Sequence, residues 1–108
     1  MPGYLLIESR DPFEGKGFSQ RLELAAALIA QDAPVTFFLV ENGVLAARRA
    51  ARVHELEKLA RSGVAVLADE FALRERGIPA AELAGHIRSA TLDLLVERLG
   101  AGAVALWN

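Results

Sequence analysis

Val35-Thr-Phe-Phe-Leu-Val40 is a run of six uncharged residues, and all but Leu39 are β-branched or aromatic. Such residues favour strands. A strand with one wet face would alternate apolar and polar positions, and this one does not. A strand apolar on both sides needs a covering layer on each face, the condition met by parallel sheets flanked by helices. That requirement constrains the rest of the chain, because parallel neighbours must be joined by crossovers rather than by tight hairpins.

The flanking sequence supplies them. Tyr4–Glu8 (YLLIE) is a second nearly continuous apolar run, followed by a polar loop, 9–17, with Pro12, Gly15 and Gly17 as breakers. From Phe18 the period becomes helical. Phe18, Leu22, Ala25, Ala26 and Ile29 lie on one side, with Gln20, Arg21 and Glu23 on the other. Pro34 ends that helix. After a Glu41-Asn42-Gly43 turn, the composition of 44–61 predicts one long helix with Leu45, Val53, Leu56 and Leu59 inward, closed by Gly63 in a left-handed cap. Val64–Ala68 is a third strand, and 70–76 a helix stopped by Gly77. Pro79 suits the first turn of another helical start. His86–Ser89 reads as a short strand or an extended link. Thr91–Leu99 reads as a helix with Leu92, Leu95 and Leu99 inward, and Ala103–Trp107 as a last strand after Gly100 and Gly102. The predicted order, β-α-β-α-β-α-(β)-α-β, is an α/β layer fold with a mainly parallel sheet, one domain over 1–108.

Composition narrows the function classes. A net charge of −2 gives no global basic field for nucleic acid, so no direct nucleic-acid role is expected. The chain has no cysteine, which removes disulfides, thiolate nucleophiles, persulfides and cysteine-based metal sites. With His54 and His86 as its two imidazoles, far apart in sequence, neither a metal site nor a cofactor is expected. The first residues lack a basic segment and no apolar stretch reaches bilayer length, so the expectation is a cytoplasmic protein without membrane contact.

Several short motifs fall in register with a known family. The second strand ends in Glu-Asn-Gly-Val (41–44), a Gly-Val-x-Val segment (63–66) forms the third strand, and the helix after it ends Arg-x-Arg-Gly-Ile (74–78). With the Pro/Gly loop after the first strand and the terminal hydrophobic strand ending at Trp107, the chain resembles the DsrE/DsrF/DsrH-like proteins, which include the TusBCD sulfur-relay subunits, over nearly its whole length. The resemblance implies a flavodoxin-like three-layer sandwich with a five-stranded sheet. It also implies assembly, as a homo-oligomer or a hetero-oligomer with related subunits. In sulfur-carrying members a cysteine lies just after the third strand, eight residues before the glycine of the Arg-Gly motif. Here that position is Asp69. A carboxylate cannot hold a persulfide, which needs a polarizable thiolate.

Asp69 has three open readings: N-cap of the following helix, ligand-binding group at the carboxyl edge of the sheet, or acid/base group with Glu8 or Asp11 as partner. The acids also suggest a phosphoacceptor receiver, but no lysine follows the fifth strand. Glu14-Gly-Lys-Gly17 lacks the spacing of a phosphate loop, leaving a surface loop or a weak anion site. Arg48, Arg49 and Arg52 form a basic cluster in which Arg48 and Arg52, one helical turn apart, share a face. That face is either solvated or a docking patch for an acidic partner. Trp107 packs in the core or at a subunit contact.

The leading expectation is therefore a non-catalytic oligomerising or partner-binding subunit, one that works with a cysteine-bearing sulfur-transfer partner rather than carrying sulfur itself. The alternative is a small-molecule or anion-binding domain, or a weak enzyme, using Asp11, Lys16, Asn42 and Asp69.

Overall fold

The computed structural model describes residues 2–108. Five strands form one sheet: β1 (Tyr4–Glu8), β2 (Val35–Leu39), β3 (Ala65–Asp69), β4 (Arg88–Ala90) and β5 (Val104–Trp107). Every pairing is parallel, in the order β4-β3-β2-β1-β5. The α-helices are α1 (Gly17–Ala30), α2 (His54–Arg61), α3 (Glu70–Glu75) and α4 (Asp93–Gly100). No described helix is long and apolar enough to cross a membrane.

The strand order dictates the layers. From β1 to β4 the chain steps across the sheet in one direction, so crossovers of one hand place their helices on one face. On that face Leu6, Phe37, Leu39 and Val66 pack against Phe18 and Leu22 of α1, Leu56 and Leu59 of α2, and Leu73 of α3. Phe18 meets Phe37 edge to face, with ring centroids 6.1 Å apart. The chain must then return from β4 at one edge to β5 at the other, and this step crosses the opposite face. There α4 alone packs, through Leu95 and Leu94, on Leu5, Ile7 and Phe38. The result is the expected three-layer α/β sandwich. Its strand order is not flavodoxin's 2-1-3-4-5, because here the reversal comes beyond β1 rather than beside β3.

Several sequence expectations fail. Residues 44–61 do not make one helix. Two 3-10 segments, Glu41–Ala47 and Arg49–Ala51, precede α2. The cause is tertiary: the Ala47 carbonyl accepts the Ala84 N–H at 2.9 Å, and Arg48 forms a bridge to Leu83. The Ala51 N–H turns to the Arg48 carbonyl instead of the i−4 acceptor that an α-helix would use. At α4, the N-cap Leu92 and Leu99 do not face inward. Leu95 does, and the other two stand about half exposed. A single helix lying on a flat apolar surface buries a narrow stripe, so a second apolar stripe is left in solvent. His86–Ser89 resolves into β4, which starts two residues later and ends one later, and Ala26 on α1 is exposed.

Candidate functional site

In open α/β sheets, ligands bind outside the carboxyl ends of the strands, at the point where strand order reverses. Here that point lies between β1 and β5, and side chains of this chain fill it. Asn108 Nδ2 donates to both carboxylate oxygens of Glu8, at 2.9 and 3.2 Å, and the Arg10 N–H donates to Glu8 Oε2 at 3.0 Å. The Ser9 hydroxyl and N–H both donate to the Asn108 carbonyl, at 2.8 and 2.7 Å. Glu8 is fully buried, and these bonds satisfy a carboxylate that would otherwise be costly to desolvate. The turn after β2 closes the neighbouring space. A Cβ on Gly43 would lie 2.2 Å from the Glu8 carbonyl oxygen, so only glycine lets this turn press on the end of β1.

Asp69 ends β3 and is 5% exposed. Its Oδ2 accepts the Ala72 N–H at 3.1 Å, capping α3. By register, Glu8 lies on the α1 face with Leu39 beside it, whereas Asp69 has the parity of Leu67 and lies on the α4 face. With β2 between their strands, about 10 Å separates the two backbones. Asp69 and Glu8 therefore do not form the acid/base pair considered above.

The other strand-end candidates are also locally engaged. Asp11 Oδ1 accepts the Phe13 N–H at 2.8 Å, which makes an Asx-type turn. Asn42 Oδ1 accepts two bonds from the Arg76 guanidinium, at 3.0 and 3.2 Å, tying the turn after β2 to the end of α3. Lys16 is exposed at the N-terminus of α1, where its carbonyl accepts from Ser19 and Gln20. None of the five main cavities is lined by Asp11, Lys16, Asn42 or Asp69. The structure does not bring these four residues together around a pocket.

A concave site lies elsewhere, on the α1/α2 side. A cavity of about 440 Å³ is lined by Arg48, Arg49, Arg52, His54, Glu57 and His86 among others. A second, of about 550 Å³, shares the three arginines. Arg48 and Arg52 do not share a helical face: Arg48 is extended (ψ 137°) and Arg52 left-handed (φ 52°). The broken backbone directs both to the same cavities. Sequence reading missed this grouping because His86 arrives from beyond α3. Burial holds the His86 imidazole below its usual pKa; Glu57 opposes that and Arg61 adds to it.

The third feature is apolar. Leu92, the N-cap of α4, and Val96 and Leu99 on the helix lie at i, i+4 and i+7 along its outer face, with Val96 70% exposed. Trp107 is 61% exposed on edge strand β5, so it does not pack in the core. Its register with Ile7 puts it on the α4 face of the sheet, beyond the cover of that helix.

No protein-family model matches this chain, and no curated protein matches it. Solved structures do. The YchN protein of E. coli superposes with a TM-score of 0.87 at 22% identity, over 98% of this chain and 99% of that one. MTH1491 of Methanobacterium thermoautotrophicum, a protein of unknown function, gives 0.84 at 17% identity, over 97% and 99%. BT1422 of Bacteroides thetaiotaomicron, likewise of unknown function, gives 0.78 at 18% identity, over 98% and 95%. At these identities the likeness establishes a shared fold over essentially the full length of each chain.

Proposed function

We propose that this protein is an oligomerising, partner-binding subunit that does no chemistry of its own at the strand-end position. The carrying observation is the unpartnered apolar surface of α4 and β5. Scattered exposed apolar side chains need no explanation, but Leu92, Val96 and Leu99 in one stripe, with exposed Trp107 on the same sheet face, support the reading of an association surface. Burying one such side chain contributes about 1.5–3 kcal/mol. Leu92 and Leu99 are already about half covered, so each adds about half of that, and a two-fold contact counts each contribution twice against a rigid-body cost of about 4–15 kcal/mol.

The motif resemblance to sulfur-relay subunits supplies the direction of the role. Relatives that carry sulfur hold it on a cysteine where this chain has Asp69, and a capping carboxylate is chemically inert toward persulfides. The subunit would therefore support a cysteine-bearing partner rather than receive sulfur. Sedimentation velocity on the purified chain tests the association, and native mass spectrometry on material captured from host lysate tests the partner. A concentration-dependent oligomer in the micromolar range, dissociated by Val96→Asp with the fold retained, is the expected result. A monomer at all concentrations, alone and in lysate, refutes the reading.

A further inference from the structure

The arginine-lined cavity belongs to neither the strand ends nor the α4 surface, and its chemistry is specific. Arg48, Arg49 and Arg52 all line it, and among the described residues none of them is ion-paired; the three ion pairs present involve Arg61, Arg74 and Arg76. The root of Arg48 is fixed by its Nε donating to the Leu45 carbonyl at 2.9 Å, and Arg49 Nη2 reaches the Leu83 carbonyl at 3.3 Å. Both leave guanidinium N–H groups to spare. Of the nearby acids, Glu57 is engaged by Arg61 at 2.7 Å, which leaves Glu82 at the rim of the second cavity and Glu55 in the first turn of α2.

The start of α2 adds backbone donors beside the arginines, with Glu55 and Glu57 in its first turn. Helix α2 begins at the cavity with Val53 in the N-cap position and no side-chain cap, so its first N–H groups have no side-chain acceptor. Glu57 lines the first cavity and Glu82 the second, fewer negative charges than the arginines supply positive ones, and a bound oxyanion would offset the excess. Planar guanidinium forks match phosphate oxygens two at a time. The volume exceeds that of a bare phosphate, and Ala46, Val53 and Ala84 give the remainder an apolar wall.

We infer that this cavity binds a small phosphate monoester, its phosphoryl group held by Arg48, Arg49 and Arg52 and its organic part against Ala46, Val53 and Ala84. The test is calorimetric titration at constant ionic strength with two probes, ribose 5-phosphate and inorganic phosphate. Saturable binding of the ester, tighter than that of phosphate, is expected. Arg52→Gln, an exposed position without a structural hydrogen bond, should weaken binding about tenfold or more, as loss of one charge-assisted contact does. Arg74→Gln, on α3 and away from the cavity, should leave it unchanged. Equal affinity for the two probes would overturn the assignment of the organic part. No saturable binding of either in the millimolar range, or an undiminished affinity in folded Arg52→Gln, would overturn the site. Binding of poly-glutamate but of neither phosphate would also overturn it, by making this a surface for an acidic protein.

Discussion

Asp69→Ala separates the two roles an aspartate can play at the end of β3. The Asp69 carboxylate accepts the Ala72 N–H at 3.1 Å, and Ala72 is itself buried. Removing an N-cap acceptor costs about 1 kcal/mol, and stranding a buried donor raises the figure, so the expected loss is about 1–2 kcal/mol. At about 2.1 cal/mol/K per residue, a chain of this length has an unfolding entropy near 0.2 kcal/mol/K. The melting temperature should therefore fall by about 4–9 °C at neutral pH. Asp69→Asn keeps an acceptor of nearly the same shape, and asparagine caps as well as aspartate, so it should recover most of the loss. The assay is differential scanning calorimetry of the three proteins at one concentration, since self-association would otherwise shift the midpoint. An unchanged midpoint in Asp69→Ala would refute the capping argument. An Asn variant as unstable as the Ala variant would show that charge, not the hydrogen bond, is what matters there.

Other expectations follow from the same geometry. Gly43→Ala places a methyl 2.2 Å from a backbone oxygen that has little room to move, and should cost about 3 kcal/mol or more in denaturant unfolding. Gly100→Ala, helical and with open space around it, should instead stabilise by about 0.5–1 kcal/mol. His86, held below 6.5 by burial, binds fewer protons in the folded than in the unfolded chain as pH falls through that value. Stability should thus decline on acidification below about 6.5, and the decline should be shallower in His86→Asn when melting is followed from pH 7.5 to 5 without phosphate. Paired substitution Val96→Asp and Leu99→Asp should abolish oligomers in sedimentation velocity while leaving far-ultraviolet circular dichroism unchanged, because both side chains point away from the core.

Much of the architecture is written locally. The runs at 4–8, 35–40 and 64–68 have no polar side to offer solvent, so they fix three buried parallel strands and force helical crossovers between them. Asp69 as a cap is equally local, because acceptor and donor are three residues apart. The missing thiol is local too, and excludes persulfide chemistry before any fold is known. What the tertiary structure alone decides is everything set by contacts between distant segments. The 44–53 stretch has helical composition, but its Ala47 carbonyl is taken by the Ala84 N–H, and the resulting break gathers the arginines at one cavity with His86. The reversal of strand order leaves α4 alone on its face, which turns Leu92, Val96, Leu99 and Trp107 outward. The strand-end crevice looked open in sequence, yet Asn108 fills it by bonding to Glu8 at the far end of the chain. Periodicity reports how a segment divides between core and solvent; it cannot report which distant carbonyl or carboxylate will compete for its hydrogen bonds.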